Sequence, residues 1–246
     1  MTGNSAKTAR QSQFEREGVA IVEHALTDDE LVALDRLVPK CNDREAGFHV
    51  GSDVLDHISR HAALSSLAAE FCPAPSDAQS MRLLRVIFFD KHEGVNWFVP
   101  WHQDQVREPL EPAGMGAQRS ATSGDTGAVY SAAGVRCKTQ TPLHLLNKIV
   151  TLRVHLDDCT EDDGPIEVVP GSHRHGVMRS AQILDVVAKR TPQLCLTVRG
   201  DILVMRPLLV HRSQRARRPS RRRVLHLEYL PETVFGLPVS PTELLQ

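Results

Sequence analysis

The sequence contains no Cys-x-x-Cys pair, and its five cysteines, Cys41, Cys72, Cys137, Cys159 and Cys195, are odd in number and scattered. That argues against a disulfide framework or a zinc–thiolate centre and for a reducing, cytoplasmic setting. No apolar run is long enough to span a bilayer, and the stretch from Met1 to Phe14 lacks the apolar centre of a secretory signal. Neither sign of charge is in surplus: 29 Lys+Arg against 30 Asp+Glu leave a net charge of -1, which argues against a protein built to coat nucleic acid. Compositional bias is missing too, since hydrophobic residues at 41% and charged residues at 24% fit neither wholesale disorder nor collagen-like repeats nor a long coiled coil. What is present suits one globular domain over residues 1–246. A chain of this length buries roughly 70% of its unfolded surface and needs no covalent staple.

Local patterns divide the chain. Gly18 to Val22 is a near-continuous apolar run, followed by Leu31, Leu34 and Leu37 at helical spacing, so a short strand precedes a helix. Thr27 and Glu30 form a capping box at the start of that helix, and Pro39 closes it. A second helical stretch covers Ser52 to Phe71 and ends at Pro73 and Pro75. Beyond Ser76 the signals are mostly strand: Arg82–Phe89, Ile149–Leu156, Pro165–Val169, Leu194–Val198, Asp201–Met205 and Val224–Leu230. Gly200-Asp201 reads as a hairpin turn between two of these. The pattern predicts a mainly β fold with flanking helices (α+β), a jelly roll whose N-terminal part is 1–76 and whose core is 77–235. Within it the loop 105–147 has the length and composition of a substrate lid.

Trp101-His102-Gln103-Asp104 places an imidazole and a carboxylate at i and i+2, on one face of an extended chain. With 12 histidines in the chain such triplets arise by chance, and the weight comes from a third candidate ligand, His211, in a segment that returns to the same sheet. Two histidines and one carboxylate with open positions form the facial triad of non-haem Fe(II) oxygenases. Three protein ligands plus water describe a hydrolytic zinc site equally well. Eleven residues beyond His211 (222 − 211) stands Arg222, where a guanidinium can grip a carboxylate with two prongs. Ser213 can add a hydroxyl. Triad and anchor together suggest a keto-acid cosubstrate.

The chain resembles the phytanoyl-CoA dioxygenase family of Fe(II)/2-oxoglutarate oxygenases. FEREGVAIVEHALTDDELVALDRL is similar to the family's opening strand and helix, and VIFFDKHEGVNWFVPWHQD to the approach to its H-x-D motif. HLDDCTEDDGPIEVVPGSHRHG carries the D-G-P and P-G-S-H elements, and GDILVMRPLLVHRSQ with RRRVLHLEY the distal histidine and the arginine strand. The resemblance implies a double-stranded β-helix (jelly roll, cupin-like) in which His102, Asp104 and His211 are the metal and catalytic residues. It implies Fe(II), 2-oxoglutarate and O2 as cofactor and cosubstrates, with Arg222 and Ser213 on the far carboxylate. The implied reaction is hydroxylation of an unactivated C–H bond of a small-molecule metabolite, with release of succinate and CO2. Asp104 favours hydroxylation over halogenation, because related halogenases carry a small residue there; desaturation, epoxidation and ring formation stay open. Arg221 and Arg223 leave the anchor's position open by one.

Other residues invite two readings each. Arg153, in a core strand, either pairs with an acid such as Asp157 or Glu228 or contacts a cosubstrate or substrate carboxylate. Arg85 raises the same question for substrate. Trp97, Phe98 and Trp101 flank the metal motif; Trp97 and Trp101, the only tryptophans, are candidates to wall a substrate pocket, against the commoner alternative of core packing. His173 and His175 read as turn residues. The run Arg212, Arg215, Arg217, Arg218, Arg221, Arg222 and Arg223 reads mostly as a solvated loop with one arginine turned inward. Two further functions compete with the oxygenase: a cupin-like hydrolase or isomerase without O2 chemistry, and a non-catalytic polyanion-binding module using residues 212–223. The expected partners are a small molecule, with no nucleic acid and no membrane, in a monomer or homodimer.

Overall fold

Period-two alternation along the last long strand divides the molecule into an inner and an outer layer. The computed structural model describes residues 3–38, 47–73, 80–105, 141–218 and 220–236. In chain order the elements are α1 (Gly3–Glu17), β1 (Val19–Val22), α2 (Asp28–Leu37), β2 (Phe48–His49), α3 (Ser52–Ser59), α4 (Ala62–Glu70), β3 (Met81–Lys91), β4 (Val99–His102), α5 (Leu143–Leu146), β5 (Val150–His155), β6 (Ile166–Val168), α6 (Ser180–Ala188), β7 (Gln193–Cys195), β8 (Ile202–Met205), β9 (His211–Ser213) and β10 (Arg222–Pro231). They form a six-stranded sheet in the order β1-β8-β5-β10-β3-β2 and a four-stranded sheet in the order β4-β9-β6-β7. The paired strands run antiparallel. This is the expected jelly roll.

On β10, Leu225, Leu227 and Tyr229 join the apolar layer that also holds Leu31 and Leu34 of α2, Ile58 of α3 and Leu64 of α4. The intervening Arg222, Val224, His226 and Glu228 belong to the opposite face, which looks toward the smaller sheet. Leu203 and Met205 meet Ile166, Val168 and Leu209 in a second cluster between the sheets. The interior is therefore apolar at one end and charged along β10. Helix α2 starts as its sequence predicts: Glu30 donates its backbone N–H to the Thr27 hydroxyl at 3.3 Å while the Glu30 carboxylate accepts from the Thr27 N–H at 2.8 Å.

Several expectations need correction. Residues Gly3–Glu17 form a helix that apolar spacing does not announce, because among its described side chains only Phe14 is buried, edge-on to Phe71 at 5.0 Å. The single helix expected over Ser52–Phe71 is two, broken where His61 turns extended (φ -77, ψ 96). Gly200, at φ +92, does sit in a turn, but the strands on either side are not a hairpin: β7 pairs with β6 and β8 with β1 and β5. The turn instead carries the chain from one sheet to the other. The strand expected over 194–198 is Gln193–Cys195. Helices α5 and α6 and the short strand β2 were not anticipated. The lid assigned to 105–147 lies, over 106–140, outside the described residues.

Candidate metal and cosubstrate site

β4 and β9 pair antiparallel with His102 opposite His211, so two imidazoles project side by side from one face of the smaller sheet. Their ring centroids are 4.2 Å apart. Asp104 follows, its backbone N–H tied to the Pro207 carbonyl at 2.8 Å. Between them Gln103 points the other way. Its amide donates to the carbonyls of Gly176 (2.8 Å) and Leu208 (2.7 Å) and accepts from the Met178 N–H (2.8 Å), which fixes the extended stretch that aims both ligands.

One ligand atom from each of His102, Asp104 and His211 lies within 4.8 Å of the others. Nδ1 of His102 faces the Pro100 carbonyl at 2.8 Å, and Nδ1 of His211 faces the Leu209 carbonyl at 2.9 Å. A carbonyl only accepts, so each Nδ1 carries a proton and each Nε2 is the ring atom left to bind a metal. These Nε2 atoms stand 3.5 Å and 3.7 Å from Asp104 Oδ1, while Asp104 Oδ2 is buried without a hydrogen-bond partner. Burial pushes the His211 pKa down to about 3, with His102 adding to the shift; the ring is neutral, as a ligand must be. Asp104 is strongly buried, yet attraction to His211 and its contact with His102 hold it well below the usual carboxylate range. Burial also opposes charge on His102, but Asp104 outweighs it and raises the pKa. An anionic oxygen and two imidazole nitrogens, with His102 giving up its proton on binding, fit a divalent transition metal.

Ser213, two residues along β9, and Arg222, at the start of β10, lie behind the triad. Arg222 is opposite Lys91 of β3, and both are buried, at 2% and 1% exposed. Arg222 donates to the Gly164 carbonyl at 2.5 Å and toward the Ser213 hydroxyl at 3.4 Å, and its Nε has no partner. Lys91 donates to the Ser213 hydroxyl at 3.1 Å and to the Gln214 carbonyl at 2.5 Å. Among the described residues no carboxylate is ion-paired with either cation. Burial, then the neighbouring Arg222, pull the Lys91 pKa down to about 7. The neighbours differ: Arg221 is forked onto Asp90 at 3.0 and 2.7 Å, and Arg223 is engaged by Asp157 and Asp35 at 2.6 and 2.9 Å. Of the three consecutive arginines, only Arg222 is buried without an acid.

The rest of the chamber wall is β3, β10 and β5. Arg153 sits opposite His226, donates to its Nδ1 at 2.9 Å and lies 5.2 Å from the centre of the Phe89 ring. Arg85 is paired through two contacts with Glu228, which also accepts from His226 at 3.2 Å. The structure thus pairs Arg85 with a buried acid and, among the described residues, leaves Arg153 without an ion pair. His155 is held by Thr197 at 2.8 Å with its Nε2 unpartnered. Trp97 stacks near Phe89 at 6.4 Å and 5.1 Å from Lys91 Nζ, beside the cosubstrate end. Trp101 does not join them. It alternates with His102, packs against Val169, Met178, Ile183 and Val210, and lies under the Arg212 guanidinium at 4.5 Å, the packing alternative of its two readings. Phe98 is 46% exposed.

Lys91 and His226 were missed by the sequence reading. Both alternate with core residues on amphipathic-looking strands, and a charged residue on the inward phase of a central strand was the available signal. The D-G-P and P-G-S-H elements gain physical roles. Gly164, at φ +64, offers its carbonyl to both Arg222 and Ser213 at 2.5 and 2.9 Å. Ser172 accepts from the Val210 N–H at 2.8 Å, which pins the residue before His211. His173 is packed under Gly18 and His175 contacts Arg190 at 3.2 Å, so both are turn residues. The arginine run is largely neutralised where it stands, Arg212 by Glu167 and Arg217 and Arg218 by Asp162.

A jelly roll enclosing a His-x-Asp and distal-His cluster, with acid-free cations behind it, defines the class of metal-dependent 2-oxoglutarate oxygenases. The sequence matches the profile of the phytanoyl-CoA dioxygenase (PhyH) family over residues 40–224, and the chain belongs to that family. Over 132 residues it is 28% identical to L-proline trans-4-hydroxylase of Streptomyces griseoviridis, covering 54% of this chain and 36% of the relative; the match therefore spans about a third of that protein. Its fold is similar to AviO1 from Streptomyces viridochromogenes Tue57, at TM-score 0.62 and 21% identity over 96% of this chain and 98% of the other. It is also similar to HygX from Streptomyces hygroscopicus, solved with nickel, 2-oxoglutarate and hygromycin B, at TM-score 0.58 and 17% identity over 94% and 88% of the two chains. No helix among the described residues is long and apolar enough to cross a membrane.

Proposed function

We propose that this chain is an Fe(II)/2-oxoglutarate-dependent dioxygenase that hydroxylates an unactivated C–H bond of a small-molecule metabolite. The observation that carries the reading is the pairing of a pre-aimed triad, His102, Asp104 and His211, with two buried cations, Arg222 and Lys91, that have no acid of their own. Bound iron supplies the redox chemistry that couples O2 and 2-oxoglutarate to C–H oxidation. In balance, R–H, O2 and 2-oxoglutarate give R–OH, succinate and CO2.

The chain's own residues bind and orient. His102, Asp104 and His211 hold the ion through two neutral nitrogens and one carboxylate. Arg222, Lys91 and Ser213 neutralise the far carboxylate of 2-oxoglutarate, and the Gly164 carbonyl holds Arg222 and Ser213 in position for it. Burying that dianion is favourable only because its charge meets preplaced donors. Trp97 and Phe89 form an apolar side to the same space, and Arg85, through Glu228, stiffens its floor. Family membership and the HygX likeness support this reading. It carries with it a single domain over 1–246, a site complete within one chain, whether monomer or homodimer, and a cytoplasmic location suited to the free thiols of Cys159 and Cys195.

The test is 2-oxoglutarate turnover by purified protein with Fe(II) and ascorbate, read as succinate or CO2. His102→Ala should abolish both turnover and metal binding. Arg222→Ala should raise the KM for 2-oxoglutarate by about 10- to 100-fold, the worth of a charge-assisted pair, with metal affinity kept within about twofold. Unchanged cosubstrate dependence in Arg222→Ala would overturn the assignment of the anchor.

A further inference from the structure

Arg153 is a buried cation beside the site to which neither metal binding nor the distal-carboxylate anchor gives a role. Arg153 is 5% exposed, its Nε has no hydrogen-bond partner, and no carboxylate among the described residues is ion-paired with it. The carboxylate that favours its charge, Asp104, stands beyond ion-pair distance and belongs to the metal site, and Glu228 on the neighbouring strand is committed to Arg85 and His226. A guanidinium held in the interior without a directly paired anion is costly, so either the fold bears that cost idly or the chamber admits a second negative group.

The hydrogen-bond chain fixes where that group would sit. Arginine cannot accept, so His226 Nδ1 accepts from Arg153, and its Nε2–H donates to Glu228 Oε1 at 3.2 Å. Arg85, Glu228, His226 and Arg153 thus form one ordered line across β3, β10 and β5. Its His226 member stands 4.0 Å from Asp104 Oδ2, which puts the line at the metal end of the chamber. The Arg222–Lys91 pair lies four residues away along β10 (226 − 222), a backbone span of about 13 Å. The two cationic foci therefore flank the space between metal and anchor, and Phe89, beneath Arg153, closes one side.

We propose that Arg153 binds the keto-acid end of 2-oxoglutarate, at the C1 carboxylate, and that His226 is a positioning residue that holds the guanidinium toward it. The inference rests on the proposed cosubstrate and adds a second grip at the opposite end from Arg222. Arg153 also interacts electrostatically with both Asp104 and Arg222, as a residue between the two ends must.

The test measures binding, by anaerobic calorimetry on Co(II)-loaded protein, of 2-oxoglutarate and of 2-oxovalerate, the same five-carbon keto acid without the distal carboxylate; weak ligands are read by displacement. Arg222→Met should weaken 2-oxoglutarate at least tenfold and leave 2-oxovalerate within about twofold, erasing the preference. Arg153→Met should weaken both ligands by one common factor of at least tenfold, with Co(II) affinity retained. Arg153→Lys should recover part of that loss, and it carries the same prediction at smaller size should the Met variant fail to fold. His226→Phe should weaken both keto acids about threefold or more, and should add nothing in the Arg153→Met background. Loss confined to 2-oxoglutarate would put Arg153 at the distal end, and no loss for either ligand would leave it structural or facing substrate; both overturn the proposal. A wild-type protein that binds neither keto acid would instead defeat the cosubstrate reading beneath it.

Discussion

Gln103 occupies the position that an H-x-D pattern leaves blank, and its side chain is what makes the flanking ligands converge. Three contacts, to Gly176, Leu208 and Met178, hold it 6% exposed. Gln103→Leu would strand the Leu208 carbonyl and the Met178 N–H in the interior, and a buried unpaired group costs about 1–3 kcal/mol. Urea denaturation should show a loss of about 3 kcal/mol, and calorimetry a weaker divalent metal affinity, although no ligand has been touched. A variant with unchanged metal affinity would mean that β4 and β9 aim the histidines without this brace. The same scale explains why three neighbouring arginines could not be told apart from sequence. Arg221, Arg222 and Arg223 differ only in their partners, and Asp90, Asp157 and Asp35 come from a strand, the bend after β5 and a helix.

At the scale of elements, the turn ahead of β6 does for the cosubstrate what Gln103 does for the metal. Residues Glu161–Asp163 make one 3-10 turn, and Gly164 reverses the chain in the left-handed region. A Cβ at Gly164 would lie 2.3 Å from the Gln214 carbonyl and 3.0 Å from Lys91 Nζ, so both backbone sign and space demand glycine. Gly164→Ala should raise the KM for 2-oxoglutarate more than tenfold by displacing Lys91, Ser213 and Arg222 together, measured as steady-state turnover against cosubstrate concentration. Thr27→Ala is the contrasting case. It removes a capping box on α2, remote from the chamber, and should cost about 1 kcal/mol in thermal melts with the same KM. Equal effects of the two changes on KM would remove any special role for the turn.

Across the whole molecule, the jelly roll was legible because strands packed on one face write alternation into the sequence, and the metal triad because its spacing follows that alternation. Helix α1 was not, since one buried phenylalanine leaves no periodic trace, and the false hairpin at Gly200 shows that a turn signal does not say which sheet the next strand joins. Lys91, His226 and His155 escaped notice because their meaning lies in burial opposite other cations, which no local pattern records. That burial has a consequence for stability. His155 is 1% exposed; burial first, then Arg153 and Arg222, hold its pKa well below 6.5. A histidine that folds neutral contributes stability above its unfolded pKa of about 6.5 and loses it as pH falls, because the unfolded chain takes up the proton first. His211, pushed down to about 3, acts in the same direction. His102, raised by Asp104, opposes them, since its contribution is complete below 6.5 and fades as pH rises through its folded value. With His173, pushed down to about 4 by burial, three groups stand against one, and metal-free protein should lose stability between pH 7 and pH 5. Replacing His155 with Gln should reduce that slope by about 1.4 kcal/mol per pH unit below pH 6.5, read from urea midpoints at pH 7.0, 6.0 and 5.0. An unaltered slope would mean that His155 is protonated inside the fold, and the chamber would then hold still more uncompensated positive charge than Arg153, Arg222 and Lys91 already bring to it.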